Sequence, residues 1–187
     1  MYCIMEYGKP QKLPDGRYFL KIAGQRRQLN KVSLQDDLKN KSLSIAITES
    51  DAEYFKKLDE EILEQAKNSK VDWFGKELSD ETIMNAYQES VTDNVVAVSL
   101  ATVKGEFITR AFDRQKNDVK LDEVKKDTVC DTILELSGLW FLKKSFGPVW
   151  RVLQVRIRDG VKQPEFSKEC LFEDEPEDDD DPADYLD

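Results

Sequence analysis

Arg17, Phe19 and Lys21 occupy alternate positions of the segment RYFLKIA, so in an extended strand they share one face while Tyr18, Leu20 and Ile22 share the other. An aromatic ring bracketed by two cations suits a nucleic-acid groove: the ring stacks on a base and the cations neutralise the flanking phosphates. The pattern recurs. Between 149 and 158, a core stripe of Leu153, Val155 and Ile157 leaves Trp150, Gln154, Arg156 and Arg158 on the opposite face. Arg110 and Phe112 share a face that Arg114 continues. Lys143 and Lys144 end the strand before the last one, and Arg26 and Arg27 follow the first; these cations complete the candidate DNA-binding set. A lone Trp or Phe on a strand is more often packing than a stacking platform, and outer-face cations are an ordinary solubility device. Recurrence on three strands favours the basic aromatic face.

Other chemistry is poorly represented. The chain has no His, the commonest general base, and no nucleophile elbow, P-loop or dinucleotide fingerprint. Cys3, Cys130 and Cys170 are odd in number and far apart, without metal-binding or redox spacing. The expectation is a protein without catalysis or cofactor, in a reducing, intracellular compartment. No segment approaches the length of a membrane span.

The elements that must position these residues are short. Strand-like patterns cover Arg17 to Ala23, Leu43 to Thr48, Asn94 to Lys104, Phe107 to Phe112, Thr132 to Lys144 and Val149 to Arg158. The last two flank Ser145-Phe146-Gly147-Pro148, which reads as a hairpin turn. An acidic middle reads as helical. Ser50 with Glu53 resembles a capping box ahead of Phe55, Leu58, Ile62 and Ala66, and Ser79 begins a second helix, with Leu78 stapled to Ile83. Asp113 to Asp131 reads as a long loop. The fold expected is α+β and mainly β: one domain over 1–171, an antiparallel barrel with a helical insertion at about 50–91.

Residues 172–187 read FEDEPEDDDDPADYLD, ten carboxylates without a cation. The chain has 28 Lys and Arg against 38 Asp and Glu, so removing those ten leaves a neutral body of 28 against 28. Such a segment is expected to be disordered and solvated. Beside a basic groove it would act as a tethered phosphate mimic, displaced by long strands and then free to offer Tyr185 and Leu186 to a partner.

Val71 to Leu78 (VDWFGKEL), Leu136 to Val155 (LSGLWFLKKSFGPVWRVLQV) and the acidic end closing on Tyr185-Leu186 together resemble the phage-type single-stranded DNA-binding proteins of replicative phages and large eukaryotic DNA viruses. The resemblance covers about 70–187. It implies an OB-fold, a strand bound in a groove across the barrel, frequent homodimerisation, and a tail that regulates access and recruits polymerase or helicase. It also implies residence in a viral replication compartment in host cytoplasm or nucleus. Here Asp187 follows Leu186, a departure that bears on docking by a terminal ring. The rival readings are a virion structural or capsid-associated protein, an acidic-tailed chaperone of basic proteins, and a metal-dependent nuclease.

Overall fold

The computed structural model describes residues 5–23 and 25–158. The acidic segment, with Tyr185 and Leu186, and also Cys3 and Cys170 lie outside the described residues. The chain opens with β1 (Glu6–Tyr7) and β2 (Gln11–Lys12), both paired to β3 (Tyr18–Ala23), followed by β4 (Arg26–Leu34) and β5 (Ser42–Ala46). Helices α1 (Glu49–Asn68), α2 (Lys70–Phe74) and α3 (Asp80–Ala86) come next. Then run β6 (Val91–Thr92), β7 (Val95–Leu100), β8 (Thr102–Val103), β9 (Glu106–Phe107), β10 (Arg110–Phe112) and β11 (Asp118–Val119). A long hairpin of β12 (Val129–Phe141) and β13 (Phe146–Ile157) ends the described chain.

Alternation drives the sheet. In β5 and β7, Leu43, Ile45, Val96, Val98 and Leu100 turn inward, leaving Ser42, Ser44, Ala97 and Ser99 on the other face. Five strands close into a ring, β12–β4–β5–β7–β13 and back to β12. Its interior holds Leu29, Val32, Leu34, Leu134, Leu136, Val152 and Val155, each at most 1% exposed. This mainly β arrangement, an uneven ring with helices, is consistent with an OB-like fold. It is not wholly antiparallel: β13 pairs in parallel with both β7 and β10, which the intervening chain permits by crossing over before β13 returns.

The helical insertion falls where the apolar spacing placed it. Phe55, Leu58, Ile62 and Ala66 are buried along α1. Its cap is Thr48 rather than Ser50: Thr48 is extended and its Oγ1 accepts from the Asp51 amide, so Ser50 sits inside the first turn. Ser79 caps α3 as expected. Trp73 and Phe74, on α2, meet the tip of the hairpin, with ring centroids 6.2 Å (Trp73–Phe141) and 5.2 Å (Phe74–Phe146) apart. The VDWFGKEL segment thus braces the hairpin. Among the described residues no helix is long and apolar enough to cross a membrane.

Three sequence expectations shift. β4 is a strand the alternation concealed, because Lys31 adopts φ 56 in a bulge and breaks the spacing of Leu29, Val32 and Leu34. The hairpin turn is Leu142–Ser145, closed by the Leu142 amide on the Ser145 carbonyl, so Phe146-Gly147-Pro148 belongs to β13. The 113–131 stretch carries β11, a 3₁₀ turn at Leu121–Glu123 and the start of β12.

Candidate nucleic-acid interface

Pairing register places most of the candidate residues on one face. Along the hairpin, Trp140 lies opposite Phe19, Gly138 opposite Lys21, and Glu135 opposite both Arg26 and Arg151. Continuing from the tip, Ile133 is level with Gln28 and Gln154, and Asp131 with Arg156, which in turn neighbours Phe112. All of these side chains alternate with the buried Leu134, Leu136, Leu139, Val152 and Val155, so they form one outer track running the length of β12.

At the tip end two half-buried rings, Phe19 and Trp140, sit side by side. Glycine makes room for each. A Cβ at Gly138 would collide with the Leu20 carbonyl and the Phe19 ring, and one at Gly147 would meet the Gln88 carbonyl at 2.9 Å and Trp140 Cζ2 at 3.2 Å. Each ring therefore approaches a glycine of the neighbouring strand closely. They line a groove with Arg17, Tyr18, Pro148 and the small side chains of Ser42, Ala97 and Ser99. Tyr18 is 46% exposed, Lys21 is exposed, and Lys143 and Lys144 are exposed in the nearby hairpin turn. Small residues beside the rings leave room for a planar group against an aromatic face, with cations nearby to meet anions.

At the tip Arg17 is itself paired with Asp15, its Nε donating at 2.8 Å, and further along the track the cations are likewise largely committed to carboxylates. Glu135 accepts from Arg26 at 3.2 Å and from Arg151 at 3.0 Å. Arg110 makes a bidentate pair with Asp118 and lies 5.1 Å from the Phe112 ring centre. Asp131 accepts from Arg156 at 2.6 Å, from Arg158 at 2.5 Å and from the Lys31 amide at 3.1 Å. Burial works to raise its pKa, but the bonds from Arg158 and Arg156 outweigh it and hold the carboxyl below its ordinary range. Arg114 and the Lys31 side chain border this cluster.

Two candidates are corrected. Trp150 is 2% exposed, its Nε1 donating to Ser90 Oγ at 3.0 Å and its ring 4.9 Å from Phe55. It is core. The cause is a bulge at Leu153, where Leu134 pairs with Val152 but Ile133 with Gln154; the extra residue reverses the alternation. The inward stripe is therefore Trp150, Val152, Val155 and Ile157, with Leu153 half-buried. Arg27 is the second. Its guanidinium pairs with Asp51 at 2.9 Å and lies 4.4 Å from the Tyr54 ring centre, fastening α1 to β4 rather than facing solvent. Arg17, Phe19, Lys21, Arg26, Arg110, Phe112, Arg114, Lys143, Lys144, Arg156 and Arg158 keep outward or partly outward positions. The ring missed from sequence is Trp140, whose signal was the spacing from Gly138, Phe19's partner strand being unknown.

A family model described as a family of unknown function (DUF5871) matches residues 30–174 of the 187. The chain belongs to that family. No curated protein matches it in sequence. Among solved structures it is similar to the single-stranded DNA-binding protein of bacteriophage Enc34. The complex of that protein with single-stranded DNA is 9% identical, with 83% of this chain and 96% of that one covered and a TM-score of 0.48. The form without DNA is 11% identical, covering 86% and 96%, with the same TM-score. A C-terminal truncation is likewise 11% identical, covering 83% and 96%, at 0.48.

The DUF5871 match takes in β5, β7, the second half of β4, and the hairpin with Trp140, Gly138 and Gly147, together with Phe112 and Arg156. It begins beyond Arg17, Phe19, Lys21, Arg26 and Arg27. The tip groove thus draws Ser42, Ala97, Ser99, Trp140 and Pro148 from the matched segment, and Arg17, Tyr18 and Phe19 from the residues before it.

Proposed function

We propose that this DUF5871 protein binds single-stranded DNA without regard to base sequence, as a non-catalytic protein of replication, recombination or repair. The observation that carries the reading is the pair Phe19–Trp140, held on an outer face over Gly138 and Gly147 beside Arg17 and Lys21. Flat rings bordered by cations stack on any base, which yields affinity with little sequence preference. The sequence resemblance carried by 136–155 and the acidic end supports the same reading and extends it to a viral setting. With the body neutral outside 172–187, affinity comes from this local arrangement rather than from bulk charge.

In this reading the acidic residues 172–187 compete with the strand for the cationic track, and Tyr185 and Leu186 dock a polymerase or helicase once displaced. Homodimerisation would extend the track over two copies. The test is fluorescence anisotropy of labelled oligo-dT with the full chain and with a chain ending at 171. Binding by the full chain, tightened by truncation, supports the proposal. No binding by either form overturns it, and loss of a basic-protein ligand on truncation would mark a chaperone whose polyanion is the working surface.

A further inference from the structure

Phe112 lies at the far end of the outer track from Phe19 and Trp140. Asp131 and Trp140 are nine residues apart on β12, roughly 30 Å at the rise of a strand. Here a second concavity of about 260 Å³ is lined by Phe112, Ile133, Gln28, Gln154, Lys116 and Arg156, with Asp131 and Val155 behind them. Its composition differs from that of a solubility face. Phe112 and Ile133 are half-buried and apolar, and the two glutamine amides carry donors and acceptors without charge. Gln28 donates to Asn30 at 2.8 Å, leaving its amide oxygen as an acceptor. Lys116 and Arg156 stand among them, and the Asp131 carboxylate, engaged by both Arg156 and Arg158, holds the guanidiniums in place while the local balance stays positive.

We infer that this pocket is a second nucleotide site, taking one base of the same strand that lies in the tip groove. This rests on the single-stranded DNA reading above. The base packs on Phe112 and Ile133, its polar edge meets the amides of Gln28 and Gln154, and its phosphate faces Lys116 and Arg156. The volume falls a little below the ~300 Å³ at which sites enclose a free small ligand, which suits a base delivered by a chain. Between the two ends the paired outward positions carry Arg26 and Arg151, which share the Glu135 carboxylate, and no aromatic ring, so bases stack at two points and the strand spans the middle. At the ~3.4 Å rise of a stacked strand a ~30 Å separation takes at most about nine nucleotides, and a strand drawn out between the two grips takes fewer.

The experiment compares oligo-dT of about 4 and about 20 nucleotides, the first able to occupy only one end, with the two-ring tip groove dominating its binding. Phe112→Ala is expected to weaken the long oligonucleotide about 5- to 100-fold, the loss of one stacked base, and to leave the short one within about 2-fold. Phe19→Ala should weaken both. Gln154→Glu, an exposed and isosteric change that brings a negative charge to the pocket, should reproduce the length-selective loss with the denaturant midpoint unmoved. Wild-type binding of the long strand with no loss in Phe112→Ala or Gln154→Glu overturns the second site and leaves the proposed function standing. Equal losses on short and long strands overturn it too, since the pocket would then be part of one continuous groove. Failure of the wild-type chain to bind either length removes the functional reading itself.

Discussion

Asp59 and Asp131 are each 5% exposed, but Asp59 lies deep in the protein and Asp131 just under its surface, and their pKa values move in opposite directions. Asp59, on α1, faces the interior and accepts only from neutral donors: Tyr87 OH at 2.7 Å, the Ser90 amide at 2.8 Å and Ser90 Oγ at 2.6 Å. Burial dominates there and raises the pKa. Asp131, on the outer face of β12, meets two guanidiniums, and its pKa falls. The lesson is that solvent exposure alone did not distinguish the two sites; depth beneath the surface and the charge of the hydrogen-bond donors together did. The inner face gathers uncharged donors around one carboxyl in the network Trp150–Ser90–Asp59–Tyr87, which ties the helical insertion to β13. The outer face gathers charge and is built to meet it.

The largest effect that would break this division is at the two hairpin tryptophans. Trp150→Ala should cost about 3–5 kcal/mol of stability, as expected for a buried ring, measured by denaturant midpoints. Trp140→Ala should cost about 1 kcal/mol, within the common range for partly exposed sites. Equal costs would mean the faces are not distinct. Next in size, Phe19→Ala should weaken oligo-dT binding by about 1–3 kcal/mol while leaving the unfolding transition in place; a matching loss of stability would make Phe19 packing.

Smaller still is the effect of freeing the cations in mid-track. Glu135→Gln releases Arg26 and Arg151, so strand binding should tighten and the slope of log affinity against log salt should steepen by about 0.7, one further phosphate. An unchanged slope would take the middle of the track out of reach of the strand. The finest test is pH. The lowered pKa of Asp131 contributes stability above the ordinary carboxylate value of about 3.9, lost as pH falls through the folded-state value. The raised pKa of Asp59 acts in reverse: its contribution is full below about 3.9 and declines as pH rises toward the folded-state value. Stability profiles of Asp131→Asn and Asp59→Asn should therefore differ from wild type with opposite slopes, and slopes of one sign would erase the comparison.

Much of the fold was legible before the structure was known. The stripes of β3, β5, β7 and α1 could be read directly, because burial of one face imposes a period of 2 on a strand and 3.6 on a helix, and local sequence records both. The outward positions of Phe19, Lys21, Phe112 and Arg156 follow from the same rule. Tertiary structure alone decided the rest. Bulges at Lys31 and Leu153 hid β4 and reversed the start of β13, since a single extra residue exchanges the faces and only the partner strand reveals it. Whether a cation was free or committed depended on carboxylates far along the chain, Asp51 for Arg27 and Asp131 for Arg156 and Arg158. Trp140 became a neighbour of Phe19 only because β12 lies beside β3 and two glycines clear the space, a juxtaposition of residues more than a hundred positions apart that no local pattern encodes.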